Sequence, residues 1–254
     1  MLFCILGTLR IRGISALRLM APLPQAALLA LILQHGSPLS REALTQLLWD
    51  DPPKSATANL RQHLMRLRQI LAEHKLEGRI CTLRGSGTSY RLLLSENELD
   101  LTEFNALVTA GRAYERHGDP VNAVSRFRVA LRMWNGPIDI DGVGSRRLQN
   151  RLHALNELHS DVQEDYLRTR LLCEPPDHVI AEIRAFLSEH PLRERGHRLL
   201  IRALYESGDT SGALIAFDRA RTILNEELGH DPGPDLQRLH AAILRHDIGH
   251  AERA

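Results

Sequence analysis

The chain has 254 residues, of which 43% are hydrophobic and 25% are charged. This length suffices for a well-buried core and fits two modest domains better than one. The longest apolar run, residues 26–33, is far shorter than a bilayer span, and no basic region precedes the apolar N-terminus as in a signal peptide. The sequence therefore predicts a cytoplasmic protein with no membrane partner.

Charge is distributed unevenly along the chain, although the total is only +1. Residues 1–96 carry 12 basic and 6 acidic residues, whereas residues 97–254 carry 20 basic and 25 acidic residues. A basic segment joined to an acidic one indicates that the first faces a polyanion and the second does not. The competing interpretation is that the charge difference between the two halves is accidental and reflects only their solvated surfaces.

Strand and helix signals in the basic half follow the order of a small α+β domain. Short runs of branched apolar residues predict strands over 2–12 and 14–20, which would form a hairpin or small sheet. A helix over residues 25–36, apolar nearly all round, would be buried in a small core. A second helix over residues 39–49 has Ser40 as its predicted N-cap.

The third predicted helix, residues 55–71, has one apolar side and one polar side. A leucine stripe, in which Leu64, Leu67 and Leu71 lie within about 40 degrees of Leu60 around the helix, faces the core. The opposite arc contains no acidic residue: Ser55, Ala58, Asn59, Gln62, Met65, Arg66 and Gln69, flanked by Arg61 and Arg68. Arginine matches guanine and Asn or Gln matches adenine in the major groove, while flanking arginines hold phosphates. The polar arc therefore favours a helix that reads DNA. The alternative is an ordinary solvated helix face.

The residues after this helix, 79–94, have strand-like sequence on both sides of a Gly-Ser-Gly turn, which predicts a hairpin. Three helices followed by a hairpin are typical of a winged helix. Arg84 lies at the bend and Arg91 on the return strand, so Arg84 would reach an adjacent minor groove, where narrow A/T-rich stretches attract guanidinium groups. A simple exposed turn is the alternative.

These segments, REALTQLLWDDPPKSATANLRQHLMRLRQIL followed by RGSGTSYRL, resemble the DNA-binding domain of the Streptomyces antibiotic regulatory protein family and the winged helices of response regulators. By position, the resemblance puts Asn59, Gln62 and Arg66 on the groove-facing side of the recognition helix and Arg84 in the wing. The family wing has Gly directly before its Tyr, where this chain has Ser89.

The acidic half, residues 97–254, contains an internal sequence repeat at an offset of 90 residues. Small alanines, a Gly-Asp turn and a Phe one turn later recur in the two copies: Ala113, Gly118, Asp119, Ala123, Phe127 and Ala130, then Ala203, Gly208, Asp209, Ala213, Phe217 and Ala220. Tetratricopeptide-type helical hairpins pack closely through such residues. A weaker middle copy is predicted near Ala181, and a last helix with Leu236, Leu239, Ile243 and Leu244 inward would cap the array.

The predicted fold class is mainly α, with a winged helix-turn-helix over 1–96, an all-α tetratricopeptide-like domain over 97–247 and a disordered tail over 248–254. The segments LRMWNGP and EHPLRERGHRLLIRALYESGDTSGALIAFDRAR also resemble the bacterial transcriptional activation domain of the same family. The resemblance implies a small, stand-alone member.

Catalytic and metal-binding signals are missing from the sequence. It contains no HExxH, GxSxG or GxxxxGK[ST] motif, and its three cysteines lack CxxC spacing. Cys4, Cys81 and Cys173 are predicted to be buried thiols. We therefore expect no catalytic residue, no metal, no cofactor and no enzymatic activity.

The resemblance implies an activator of secondary-metabolite biosynthesis genes. It would bind direct repeats in double-stranded promoter DNA, as a homodimer or a tandem pair, and recruit RNA polymerase holoenzyme, so it would be associated with the nucleoid. The alternative is a protein-interaction adaptor in which the helical repeats carry the function and the winged helix binds protein.

Overall fold

The computed structural model describes residues 1–14, 21–85, 87–95, 97–138 and 144–245. The chain divides into two compact units, the first comprising residues 1–107 and 129–159 and the second comprising residues 108–128 and 160–254. Helices dominate both units, and small sheets occur near the N-terminus. The predicted fold class is confirmed.

The N-terminal strands are shorter than predicted. β1 (Phe3–Cys4) pairs antiparallel with β2 (Arg10–Ile11), so the hairpin lies within the range predicted as one strand. Gly7 has a φ of +111° and an added Cβ would lie 2.6 Å from the Asn135 carbonyl oxygen, which makes glycine necessary at this reversal. Most of the strand predicted over 14–20 lies outside the described residues.

Three helices follow. α1 (Pro22–Ile32) begins at its prolines rather than after them, because a residue in the first turn has no intrahelical partner for its N–H. α2 is Arg41–Leu48, and the Oγ of Ser40 accepts a hydrogen bond from the Ala43 N–H at 3.0 Å, which confirms the predicted N-cap. α3 is Ala56–Glu73.

A three-stranded antiparallel sheet completes the winged helix. β3 (Leu39–Ser40) pairs with β5 (Thr88–Leu92), and β5 pairs with β4 (Ile80–Arg84), which gives the order β3-β5-β4. The predicted hairpin is therefore confirmed, and the two residues directly before α2 add a third strand to it. Ser86 in the turn lies outside the described residues.

Asp100 connects the N-terminal hairpin to the helix that it begins. Its carboxylate accepts hydrogen bonds from the backbone N–H groups of Ile5 and Leu6, at 2.8 and 3.0 Å, and of Leu101, at 2.8 Å. Asp100 is buried, and burial raises its pKa above the ordinary value even though these three donors oppose the shift.

Seven further helices lie in the described residues after the hairpin: α4 (Asp100–Arg116), α5 (Pro120–Arg132), α6 (Arg146–Arg170), α7 (Asp177–Glu189), α8 (Glu194–Glu206), α9 (Thr210–Leu228) and α10 (Pro234–Leu244). The two Gly-Asp turns have the same construction. Gly118 and Gly208 have φ values of +74° and +89°, and each following Asp accepts a hydrogen bond from a backbone N–H in the next helix. The predicted 90-residue repeat is confirmed at this level.

The middle copy packs differently from the prediction. Ala181 is exposed, and α7 buries Val179, Ile183, Phe186 and Leu187 instead. Gly196 of α8 takes the small-residue position, because a Cβ there would lie 2.9 Å from the side chains of Phe186 and Leu187. The predicted inward position of Leu244 is also wrong, because Leu244 is 57% exposed. Leu236, Leu239 and Ile243 are buried as predicted.

Two remaining predictions concern exposure. No helix within the described ranges combines the length and apolar character that a membrane crossing requires. The predicted burial of the three cysteines is wrong: Cys4 and Cys81 are half-buried and Cys173 is exposed. Cys173 follows the end of α6, where the chain turns toward α7. The tail predicted over 248–254 lies outside the described residues.

Candidate nucleic-acid interface

The leucine stripe of α3 fixes which side of the helix faces water. Leu60, Leu64, Leu67 and Leu71 are each at most 1% exposed, and α3 packs against α1 and α2. A fully buried leucine contributes about 1.5–3 kcal/mol relative to an exposed one, so rotation of the helix about its axis would be very costly. The predicted register of α3 is confirmed.

The outward side of α3 is polar and lacks carboxylates. Gln62, Arg66 and Gln69 are exposed. At the N-terminal end, the Nδ2 of Asn59 donates a hydrogen bond to the Oγ of Ser55 at 3.2 Å, which leaves the Asn59 amide oxygen free to accept. The acidic residue of α3 is Glu73, its last residue. We name this outward surface, residues 55, 58, 59, 61, 62, 65, 66 and 69, the reading face.

Four of the predicted arginines have no partner within the described part of the chain. Arg61, Arg66, Arg84 and Arg91 are exposed, and none forms an ion pair or a hydrogen bond there. Beside them, burial and then the charge of Arg66 hold the pKa of His63 below its ordinary value, so this imidazole is neutral at physiological pH. The positive charge of the surface therefore comes from guanidinium groups whose donors point into water.

Arg68 differs from these four arginines because its guanidinium is already bonded. Its Nε donates to the Ile80 carbonyl oxygen at 2.9 Å and its Nη2 donates to the Thr82 Oγ1 at 2.7 Å. Arg68 thus holds β4 against α3. Its predicted contact with phosphate stays a prediction and would use the remaining N–H donors.

The hairpin separates Arg84 from Arg91. Arg84 pairs with Thr88 across the hairpin. Side chains two residues apart on a strand lie on the same face, so Arg84 shares a face with Thr82 and Ile80, which Arg68 contacts. Arg91 pairs with Cys81 on the opposite face. Only Arg84 is therefore presented at the wing tip on the same side as α3, and this favours Arg84 over Arg91 as a wing contact.

Two residues of this surface were not among the predicted contacts. Met65 is 63% exposed at the centre of the reading face, and Lys54 is exposed directly before α3, whose first turn has no acidic residue. A lysine at this point adds to the positive end of the helix dipole. The signals for both were present in the sequence, in the helical period for Met65 and in the position before the N-cap for Lys54.

Comparison with known proteins agrees with this geometry. Residues 22–92 match the family model described as transcriptional regulatory protein, C terminal, and residues 99–244 match the bacterial transcriptional activator domain. The regulatory protein DnrI of Streptomyces peucetius is 31% identical over 232 residues, which cover 89% of this chain and 85% of DnrI. The chain belongs to the Streptomyces antibiotic regulatory protein family of transcriptional activators.

A member of this family from Mycobacterium tuberculosis shares the fold as well as the sequence. The transcriptional regulatory protein EmbR is 33% identical over 225 residues, 88% of this chain, and the chain spans 58% of the length of EmbR. The solved structure of EmbR in complex with a low-affinity phosphopeptide superposes with a TM-score of 0.85, at 31% identity, over 99% of this chain and 66% of that chain. The phosphopeptide is a ligand of EmbR.

Proposed function

We propose that this chain is a non-enzymatic, sequence-specific DNA-binding activator. The recognition helix α3 inserts into a major groove, with Asn59, Gln62 and Arg66 reading base edges. Ser55, Arg61, Arg68 and Arg91 contact phosphates, and Arg84 reaches the neighbouring minor groove from the wing.

The observation that carries this proposal is the acid-free reading face with exposed, unpaired arginines, held in place by the buried leucine stripe. A solvated helix face gains a few tenths of a kcal/mol for each Glu or Asp placed one turn from an Arg, and α3 has none at these positions. Unpaired guanidinium groups stay fully available for bidentate bonds to guanine and for phosphate oxygens.

Membership in the family suggests the DNA target, the assembly on DNA and the protein partner. The chain binds direct repeats near promoters of secondary-metabolite biosynthesis genes, as a homodimer or a tandem pair, and its helical repeats contact RNA polymerase holoenzyme. A DNA target of this kind places the protein in the cytoplasm, on the nucleoid. The match of residues 99–244 to the bacterial transcriptional activator domain supports the activating role.

A duplex selected by the full chain from a random-sequence pool provides the test. Fluorescence anisotropy across a series of salt concentrations measures affinity for this duplex and for a scrambled one. We expect Arg66→Ala to weaken selected binding by about 1–3 kcal/mol and to reduce sequence discrimination. We expect Arg84→Ala to lower the slope of log K against log salt by about one.

Arg184→Ala is the matched control. Arg184 lies within α7, is exposed and has no partner among the described residues, so it matches Arg66 in environment but lies outside the winged helix. Its substitution should leave affinity and salt slope unchanged. Equal behaviour of all three variants would refute DNA reading by α3 and favour the adaptor function.

A further inference from the structure

The reading face contains one large apolar side chain that is mostly exposed. Met65 is 63% exposed, compared with 40% for Leu83 in the hairpin. Burying an exposed methionine side chain is favourable because its apolar surface leaves water, and the leucines of the same helix are all within the core. Met65 therefore has apolar surface that a partner could bury.

The immediate neighbours of Met65 define what kind of partner fits. Positions three and four residues away on a helix lie beside it, and here they are two arginines and two glutamines: Arg61, Gln62, Arg68 and Gln69. This setting combines positive charge, amide groups that donate and accept, and one apolar centre. It suits an anionic partner that presents hydrogen-bonding groups around a single apolar spot.

The major groove of duplex DNA presents such a spot at every thymine, whose C5 methyl group projects between hydrogen-bonding base edges and flanking phosphates. We infer that Met65 contacts the C5 methyl group of a thymine in the operator and makes the chain selective for thymine at that position. The inference rests on the proposed function, because it requires α3 to lie in the major groove. The flexible thioether chain can adapt to the methyl group without a preset pocket.

The position of this thymine follows from the helix geometry. Met65 lies within one turn of both Gln62 and Arg66, and a turn rises about 5.4 Å. The thymine is therefore adjacent to the base pairs that Gln62 and Arg66 read.

The experiment replaces each thymine of the selected duplex, one at a time, by deoxyuridine, which lacks only the methyl group. For the wild-type full chain, we expect one replacement to weaken binding about three- to fivefold, as for loss of one buried methyl-sized contact. Met65→Ala should bind the original duplex with the same loss and should be insensitive to that replacement. Met65→Leu, which keeps an apolar side chain, should stay sensitive to it.

Leu172→Ala is the matched control, since Leu172 is 51% exposed and lies just after α6; it should keep the wild-type pattern. If Met65→Ala stays as sensitive as wild type to every replacement, or if no replacement weakens wild-type binding, the thymine contact is refuted while DNA binding stands. Failure of the wild-type chain to select any duplex would refute the proposed function and this inference together.

Discussion

Four arginines of α3 and its hairpin have surroundings opposite to those of the arginines around Asp165 in the second unit. In α3 and the hairpin, Arg61, Arg66, Arg84 and Arg91 are exposed and unpaired within the described residues. In the second unit, Asp165 of α6 lies 2.8 Å from the Arg112 Nη2 of α4 and 2.5 Å from the Arg195 Nη2 of α8. Arginines thus connect α4, α6 and α8 around Asp165, whereas the four arginines of α3 and the hairpin have no such partner.

The difference between these two sets of arginines follows from the burial of the carboxylates near the second set. Asp165 and Glu164 are at most 4% exposed, and a carboxylate removed from water needs charged or hydrogen-bonded partners nearby. Burial would raise the pKa of Asp165, but the hydrogen bonds and charges of Arg195 and Arg112 outweigh it and hold the pKa below its ordinary value. The exposed arginines of α3 need no such compensation, so they stay available to a partner.

The largest effect is expected from Asp165→Asn, which would break the helix-connecting network. We expect a loss of about 3 kcal/mol in the free energy of unfolding, because the substitution removes the buried carboxylate that Arg112, Arg168 and Arg195 share. Urea unfolding of the full chain followed by circular dichroism measures it. Asp218→Asn is the control, since its pair with Arg221 is exposed and should contribute less than about 0.5 kcal/mol. Equal losses in both variants would show that the network stabilises no more than a surface pair.

An intermediate effect is expected from Arg68→Ala, because Arg68 is the arginine of α3 that is bonded within the fold, like the arginines around Asp165. Its two hydrogen bonds to β4 should stabilise the hairpin by about 1–2 kcal/mol. Hydrogen exchange of the β4 amides should therefore accelerate by roughly tenfold in this variant. Arg61→Ala, two turns earlier on the same flank, should leave that exchange unchanged. Acceleration in both variants would contradict the division between structural and free arginines.

The smallest effect concerns pH, and it has opposite signs at two adjacent residues. Burial raises the pKa of Glu164 above its ordinary value of 4.5, so the folded state binds this proton more tightly and stability is lost as the pH rises through the raised pKa. The lowered pKa of Asp165 stabilises the fold above its ordinary value of 3.8, and this stability is lost as the pH falls through the lowered pKa.

Glu164→Gln should therefore be more stable than wild type near pH 7, and this advantage should disappear below pH 4.5, the ordinary value for Glu. The deficit of Asp165→Asn should instead be largest near neutrality and shrink in strong acid. Urea unfolding across this pH range distinguishes the two. Parallel pH profiles for the two variants would show that the adjacent carboxylates share one titration rather than having opposed shifts.

Local patterns predicted much of the fold. The leucine period of α3, the Ser40 cap and the two Gly-Asp turns depend on residues within a few positions of one another, so the sequence displays them directly. Ala181 failed as a prediction because the small residue at a helix crossing is chosen by the facing helix, here through Gly196. Gly111 was missed for the same reason: a Cβ there would lie 2.7 Å from the Phe127 ring.

The sequence alone determined which side of α3 faces outward and that this side carries arginine and amide groups without acid, because helical periodicity is a local property. Tertiary structure alone decided which arginines are free. Arg68 becomes a support for β4, Arg84 and Arg91 separate onto two faces of the hairpin, and Asp100 reaches the backbone of Ile5. These outcomes depend on contacts between residues distant in sequence, which form only when the helices and strands pack.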